Sequence, residues 1–205
     1  MNLPNKITLS RVFLIPFMLI FIVPLPAWIL NSVYIGFLNQ QLVVINNFIL
    51  NYGNYVGGIV FILSASTDRI DGYIARKRNL QTKFGMFIDP IADKLLMAAA
   101  LIALAERNDI SSWVAIIIIS REFIVTGFRL IAAGDGIVLQ ADKWGKLKMK
   151  FQCIAVALAL LKNYPLSLLT DFPFDRYVMG IAIIITIYSG YNYISKNKKV
   201  FNGSF

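Results

Sequence analysis

Six apolar runs decide what this chain can fold into. They lie at Val12 to about Leu30, about Tyr52 into the acidic stretch that opens at Asp68, Pro90 to Leu104, Ser112 to Ala133, about Leu147 to Leu161, and about Tyr177 to Tyr193. Each is roughly 15–22 residues long, near what a helix needs to cross a bilayer. Apolar residues make up 58% of the chain and charged ones 15%, a balance that excludes an ordinary soluble domain. The expected fold is all-α: a single membrane-embedded domain over residues 1–205, a bundle of six transmembrane helices with a short N-terminal interfacial amphipathic helix at 1–11. Pro24 and Pro26 close the first run where a cleavable signal would carry a small-x-small site, so it is expected to be retained. Residues 31–55 are rich in Asn and Gln and carry no Lys or Arg; an apolar patch at 42–50 is expected on the membrane surface.

Charge gives the bundle an orientation. Fourteen of the twenty Lys and Arg residues fall on one set of connections: Lys6 and Arg11; Arg76, Lys77, Arg78 and Lys83; Arg129, Lys143, Lys146, Lys148 and Lys150; and Lys196, Lys198 and Lys199. Arg107, Lys162 and Arg176 fall on the opposite set. The positive-inside rule then puts both termini in the cytoplasm. The net charge of +9 is spread between apolar spans, which points to anionic lipid and phosphorylated substrates as partners and not to nucleic acid. Cys153 stands alone, so no intramolecular disulfide forms, and with no histidine any proton acceptor must be Asp, Glu, Lys or Tyr.

Between the second and third runs lie four carboxylates, at Asp68, Asp71, Asp89 and Asp93. Carboxylates at a bilayer edge are costly to keep ionised without cations. On a helix Asp68 and Asp71 stand about 60° apart, and Asp89 and Asp93 about 40° apart, so each pair shares a face. Two such helices side by side would offer hard oxygen ligands suited to Mg²⁺ or Mn²⁺. Gly72 and Ala75 leave bare backbone beside Asp71. Asp89-Pro90 reads as a helix N-cap followed by proline at the first helical position.

The pattern Asp68-x2-Asp71-Gly72-x2-Ala75-Arg76-x8-Gly85-x3-Asp89-x3-Asp93 resembles the signature of the CDP-alcohol phosphatidyltransferases, with every fixed position present. A second constellation, Arg121-Glu122 with Arg129, followed by Gly145-Lys146-x-Lys148, reads either as an anion pocket for a phosphorylated acceptor or as ion pairs tying helices together. Taken with Asp89-Pro90-Ile-Ala-Asp93-Lys94 and the opening Pro4-Asn5-x2-Thr8-x2-Arg11, it is most similar to the bacterial branch of the family that takes sn-glycerol 3-phosphate as acceptor. Met149, where threonine is usual, departs from that branch.

The resemblance implies transfer of a phosphatidyl group from CDP-diacylglycerol to sn-glycerol 3-phosphate in a bacterial cell membrane, with a homodimer as the common assembly. It implies two Mg²⁺ or Mn²⁺ ions on Asp68, Asp71, Asp89 and Asp93, with Asp93 also as the base. Asn5, Thr8, Gly72, Ala75 and Arg76 are then the nucleotide contacts, and Arg11, Arg121, Arg129, Lys146 and Lys148 the acceptor-phosphate contacts. A branch taking phosphatidylglycerol as acceptor is the alternative within the family. A divalent-cation transporter using the four carboxylates is the alternative outside it.

Overall fold

The computed structural model describes residues 3–30, 39–77, 83–134, 137, 139 and 142–197; side chains at 3–9, 39, 68–77, 83–87 and 89 lie outside the description. Among the described residues the chain is all helix, without strands. Long helices run over Leu3–Ile22 (α1), Asn39–Lys77 (α3), Lys83–Glu106 (α4), Ser112–Gly134 (α5), Lys143–Leu160 (α6) and Phe174–Lys196 (α7). A four-residue helix at Ala27–Leu30 (α2) follows α1, and a 3₁₀ turn at Leu166–Leu168 precedes α7. Five of the six apolar runs predicted above each fall on one long helix; the first is broken at 23–26, where α1 ends and the short α2 follows.

Three local expectations are corrected. Residues 1–11 were expected to lie apart from the first span, but Leu3 to Arg11 continue without a break into α1, with Pro16 inside the helix. The 42–50 patch and the second span are one element: α3 begins at Asn39, and its apolar part runs Gln40–Thr67. The Asn side chains there do not end the helix; one of them, Asn46, accepts a hydrogen bond from the Leu25 amide at 2.9 Å and fixes the turn after α1. Asp89-Pro90 is not a helix start, because α4 opens at Lys83 and encloses Pro90, which removes one backbone donor inside the helix.

Gln40–Thr67 and Phe174–Lys196 are long and apolar enough to cross a membrane by length and composition. The helices that miss that criterion include those carrying charge in their spans: Asp93 and Lys94 in α4, Arg121, Glu122 and Arg129 in α5, and Lys148 in α6. The outer surface is apolar on all six long helices, with Phe13, Ile59, Ile102, Phe123, Ile154 and Ile184 exposed. Asn54, Ser64, Gln152, Thr186 and Ser189 are buried inside. That arrangement suits lipid as the surrounding medium and supports a membrane helical protein.

α1 packs on α3 and α4, α6 on α7 and α3, and α5 on α7 and α4. The core runs through Met18 and Ile22 of α1, Phe61 of α3, Leu101 and Leu104 of α4, Ile118 of α5, Val156 and Leu160 of α6, and Ala182 of α7. Contact between α1 and α3 depends on glycine. A Cβ at Gly53 would overlap the backbone carbonyl of Phe21, and one at Gly57 the side chain of Ile22. Arg107 gathers the end of the bundle where α1 stops: it donates to the carbonyls of Ile22 (3.0 Å), Ile49 (3.1 Å) and Leu50 (2.8 Å). Asp109 beside it, 3.6 Å from Arg107, accepts from Asn54 at 2.7 Å. At the same end Asn163, in a left-handed conformation at φ 62°, exchanges two 2.7 Å hydrogen bonds with Asp175 and joins α6 to α7.

Candidate active site

The opposite end of the bundle collects the residues with chemistry. α3 leaves its apolar span at Thr67 and continues as helix to Lys77, so Asp68, Asp71, Gly72, Ala75 and Arg76 occupy its last turns. α4 begins six positions later, with Gly85, Asp89 and Asp93 in its first three turns. The backbone therefore brings both halves of the acidic stretch to one end. The side chains of Asp68, Asp71, Asp89, Asn5, Thr8, Gly72, Ala75 and Arg76 lie outside the described residues, so their contacts are not part of the geometry. Asp93 is the one carboxylate of the four whose side chain is described, and no cluster of three metal-binding side chains occurs among the described residues.

Asp93 is partly buried and accepts a 3.1 Å hydrogen bond from Arg11 of α1, whose side chain is 3% exposed. Arg11 thus meets the acidic stretch and not the cationic cluster described next. Asp93 also lines two cavities. One, of about 210 Å³, lies among α4, α5 and α6 and is bounded by Lys94, Glu122, Lys148, Met149 and Gln152. The other, of about 40 Å³, lies toward α3 and is bounded by Phe61, Ala65, Met97 and Cys153. Asp93 thus borders both the small cavity beside Phe61 and Ala65 of α3 and the larger one that holds Lys94 and Lys148.

The cations of that interior are held by named partners. Lys148, 7% exposed, makes an ion pair with Glu122. Arg121 lies 3.3 Å from the same carboxylate oxygen and donates to Ser189 of α7 at 2.8 Å. Arg129 donates to the Tyr193 hydroxyl at 2.9 Å, with its guanidinium 5.0 Å from the ring centre. Lys94 donates to the Thr126 hydroxyl at 2.6 Å, and that hydroxyl donates to the Glu122 carbonyl at 2.7 Å. Of the five acceptor-phosphate candidates, Lys148 faces the cavity; Arg121 and Arg129 stand behind it, braced on α7; Lys146 is exposed on the far side of α6. The described contacts of Arg121 and Arg129 are those that tie α5 to α7, and neither arginine lines the cavity.

Lys94, Gln152, Ser189 and Tyr193 belong to this site and were not singled out from sequence as its members. Lys94 had a signal, a charge inside an apolar run directly after Asp93. Gln152, Ser189 and Tyr193 had none, since their roles depend on α6 and α7 packing against each other. Gln152 donates to Thr186 at 2.8 Å across that contact.

Known proteins resemble this chain over nearly its whole length. Residues 1–188 match the family model described as CDP-alcohol phosphatidyltransferase. A CDP-diacylglycerol–glycerol-3-phosphate 3-phosphatidyltransferase of Bacillus subtilis is 46% identical over 197 residues, covering 96% of this chain and 95% of its own. The protein of the same name from Rickettsia felis is 31% identical over 200 residues, covering 98% and 97%. A probable phosphatidylglycerophosphate synthase of Mycobacterium tuberculosis is 37% identical over 142 residues, covering 69% and 65%. A match that takes in both halves of the acidic stretch and reaches into α7 makes this chain a member of the CDP-alcohol phosphatidyltransferase family.

Proposed function

We propose that this chain transfers the phosphatidyl group of CDP-diacylglycerol to sn-glycerol 3-phosphate, forming phosphatidylglycerophosphate and releasing CMP. Full-length relatives carrying that activity in their names support the substrates. The observation that carries the reading is Asp93, whose carboxylate borders both the small cavity beside α3 and the cationic cavity among α4, α5 and α6. A residue so placed can act on an acceptor held on one side while the donor is held on the other.

The donor set fits divalent metal: Asp68, Asp71, Asp89 and Asp93 offer only oxygen, at spacings that put each pair on one helix face. Bound there, Mg²⁺ or Mn²⁺ would neutralise the pyrophosphate of the donor and favour departure of CMP. Gly72 and Ala75 are the proposed approach for cytidine, with Asn5, Thr8 and Arg76 as contacts for its phosphates. Arg121, Arg129 and Lys148 supply the positive field for the acceptor's phosphate, and Lys94 extends it toward Asp93. A 210 Å³ cavity suits a small polyol phosphate and is smaller than the ~300–1,000 Å³ typical of drug-sized sites. Asp93 accepts the proton of the acceptor hydroxyl as its oxygen attacks the β-phosphorus, and Arg11 holds the carboxylate in place.

The wider setting belongs to the same proposal. All six long helices cross a bacterial cell membrane, both termini and the site face the cytoplasm, and the working unit is a homodimer with two cations per site. The test is an acceptor exchange. Purified protein with Mg²⁺ and CDP-diacylglycerol should release CMP with sn-glycerol 3-phosphate and give little with phosphatidylglycerol. The reverse preference would assign the chain to lipid-acceptor chemistry, and cation uptake into liposomes without CMP would make it a transporter.

A further inference from the structure

We propose that Glu122 sets the affinity for the acceptor's phosphate by acting as an internal counter-anion that the incoming phosphate must displace; this rests on the cavity being the acceptor site. Among the described residues that line the cavity, the carboxylates are Asp93 and Glu122 and the ammonium groups are Lys94 and Lys148. Asp93 is engaged by Arg11. Glu122 answers the charge of Lys148 and, through the same oxygen, that of Arg121. Both cationic side chains are nearly enclosed, at 7% and 11% exposure, so neither has water to fall back on. An anion that takes Lys148 as its partner from the cavity competes with the Glu122 carboxylate.

That exchange discriminates by charge. The carboxylate brings one negative charge and two oxygens. A phosphate monoester brings about −1.5 to −2 and three acceptor oxygens at neutral pH, so it gains by the swap. A phosphodiester brings a single charge and gains nothing, and a neutral polyol loses an ion pair. Glu122 thus sets a threshold of attraction that an anion must exceed before it occupies the cavity. The released carboxylate has a second partner in Arg121, which need not move because Ser189 already holds it.

The test uses the full-length enzyme in detergent, turning over sn-glycerol 3-phosphate, with inorganic phosphate and dimethyl phosphate as competing anions. Wild-type enzyme should be inhibited by inorganic phosphate and be nearly indifferent to dimethyl phosphate. Glu122→Gln should lower the KM for sn-glycerol 3-phosphate without raising kcat. It should also lower both inhibition constants by roughly tenfold, the size of effect expected for a close charge pair, and so bring dimethyl phosphate into the measurable range. Glu122→Asp, which keeps the charge but withdraws it by one methylene, should move both quantities in the same direction by less. Unchanged inhibition constants with an unchanged or raised KM overturn the proposal, and if the Gln variant does not fold, the same result from the Asp variant does so. Wild-type enzyme that releases no CMP from sn-glycerol 3-phosphate would instead defeat the functional reading, which keeps the two failures distinct.

Discussion

Lys146 and Lys148 look like one feature in the sequence and are two in the structure. Two residues apart on a helix is about 200° of rotation, so they cannot share a face. Lys148 is buried and faces the cavity, whereas Lys146 is exposed to the surroundings. Lys148→Ala should therefore raise the KM for sn-glycerol 3-phosphate by about 10–100-fold, the worth of one charged hydrogen bond, and Lys146→Ala should leave it within about twofold. Equal effects in steady-state assays would refute that division. The helical period was enough to separate the two lysines. It was not enough to show that Arg11, grouped with them as a cation, meets Asp93 across from α1, since that contact spans 82 residues. Buried tertiary pairs of this kind leave no local trace.

At the scale of elements, the positions of the helices were legible because apolar runs long enough for a bilayer have few alternatives. Their ends were not. α3 is 39 residues long because its Asn and Gln positions project from a continuing helix and because the acidic stretch is helical too. Gly53 and Gly57 of α3 had no reading in advance, and packing explains them: small residues four apart let backbones approach closely in a membrane bundle. Gly53→Ala drives a methyl into the Phe21 carbonyl, which cannot rotate away, and should cost about 1–3 kcal/mol. Gly127→Ala, with open space around its Cβ position, should be neutral or slightly stabilising. Melting temperatures of the two variants in one detergent check this, and a Gly53→Ala protein as stable as Gly127→Ala would contradict the packing. Arg107→Ala should likewise lower the melting temperature while sparing kcat, because its three carbonyl partners lie at the end remote from Asp93.

For the molecule as a whole, the division of labour follows from the two ends of one bundle. One end is closed by Arg107, Asp109 and the Asn163–Asp175 pair, and the other gathers the acidic stretch, Asp93 and the cations. The sequence showed that asymmetry as a bias of Lys and Arg and as a motif, and the family match supplied the chemistry that spacing alone could not. In the proposed reaction Asp93 takes the proton of the acceptor hydroxyl at the cavity it lines. The direct measurement is CMP release from CDP-diacylglycerol with sn-glycerol 3-phosphate by wild-type and Asp93→Asn enzyme, with melting curves of both. Loss of roughly 10²–10⁴-fold in kcat at an unchanged fold is the expected result for a general base. A folded Asp93→Asn enzyme that turns over at the wild-type rate would contradict it.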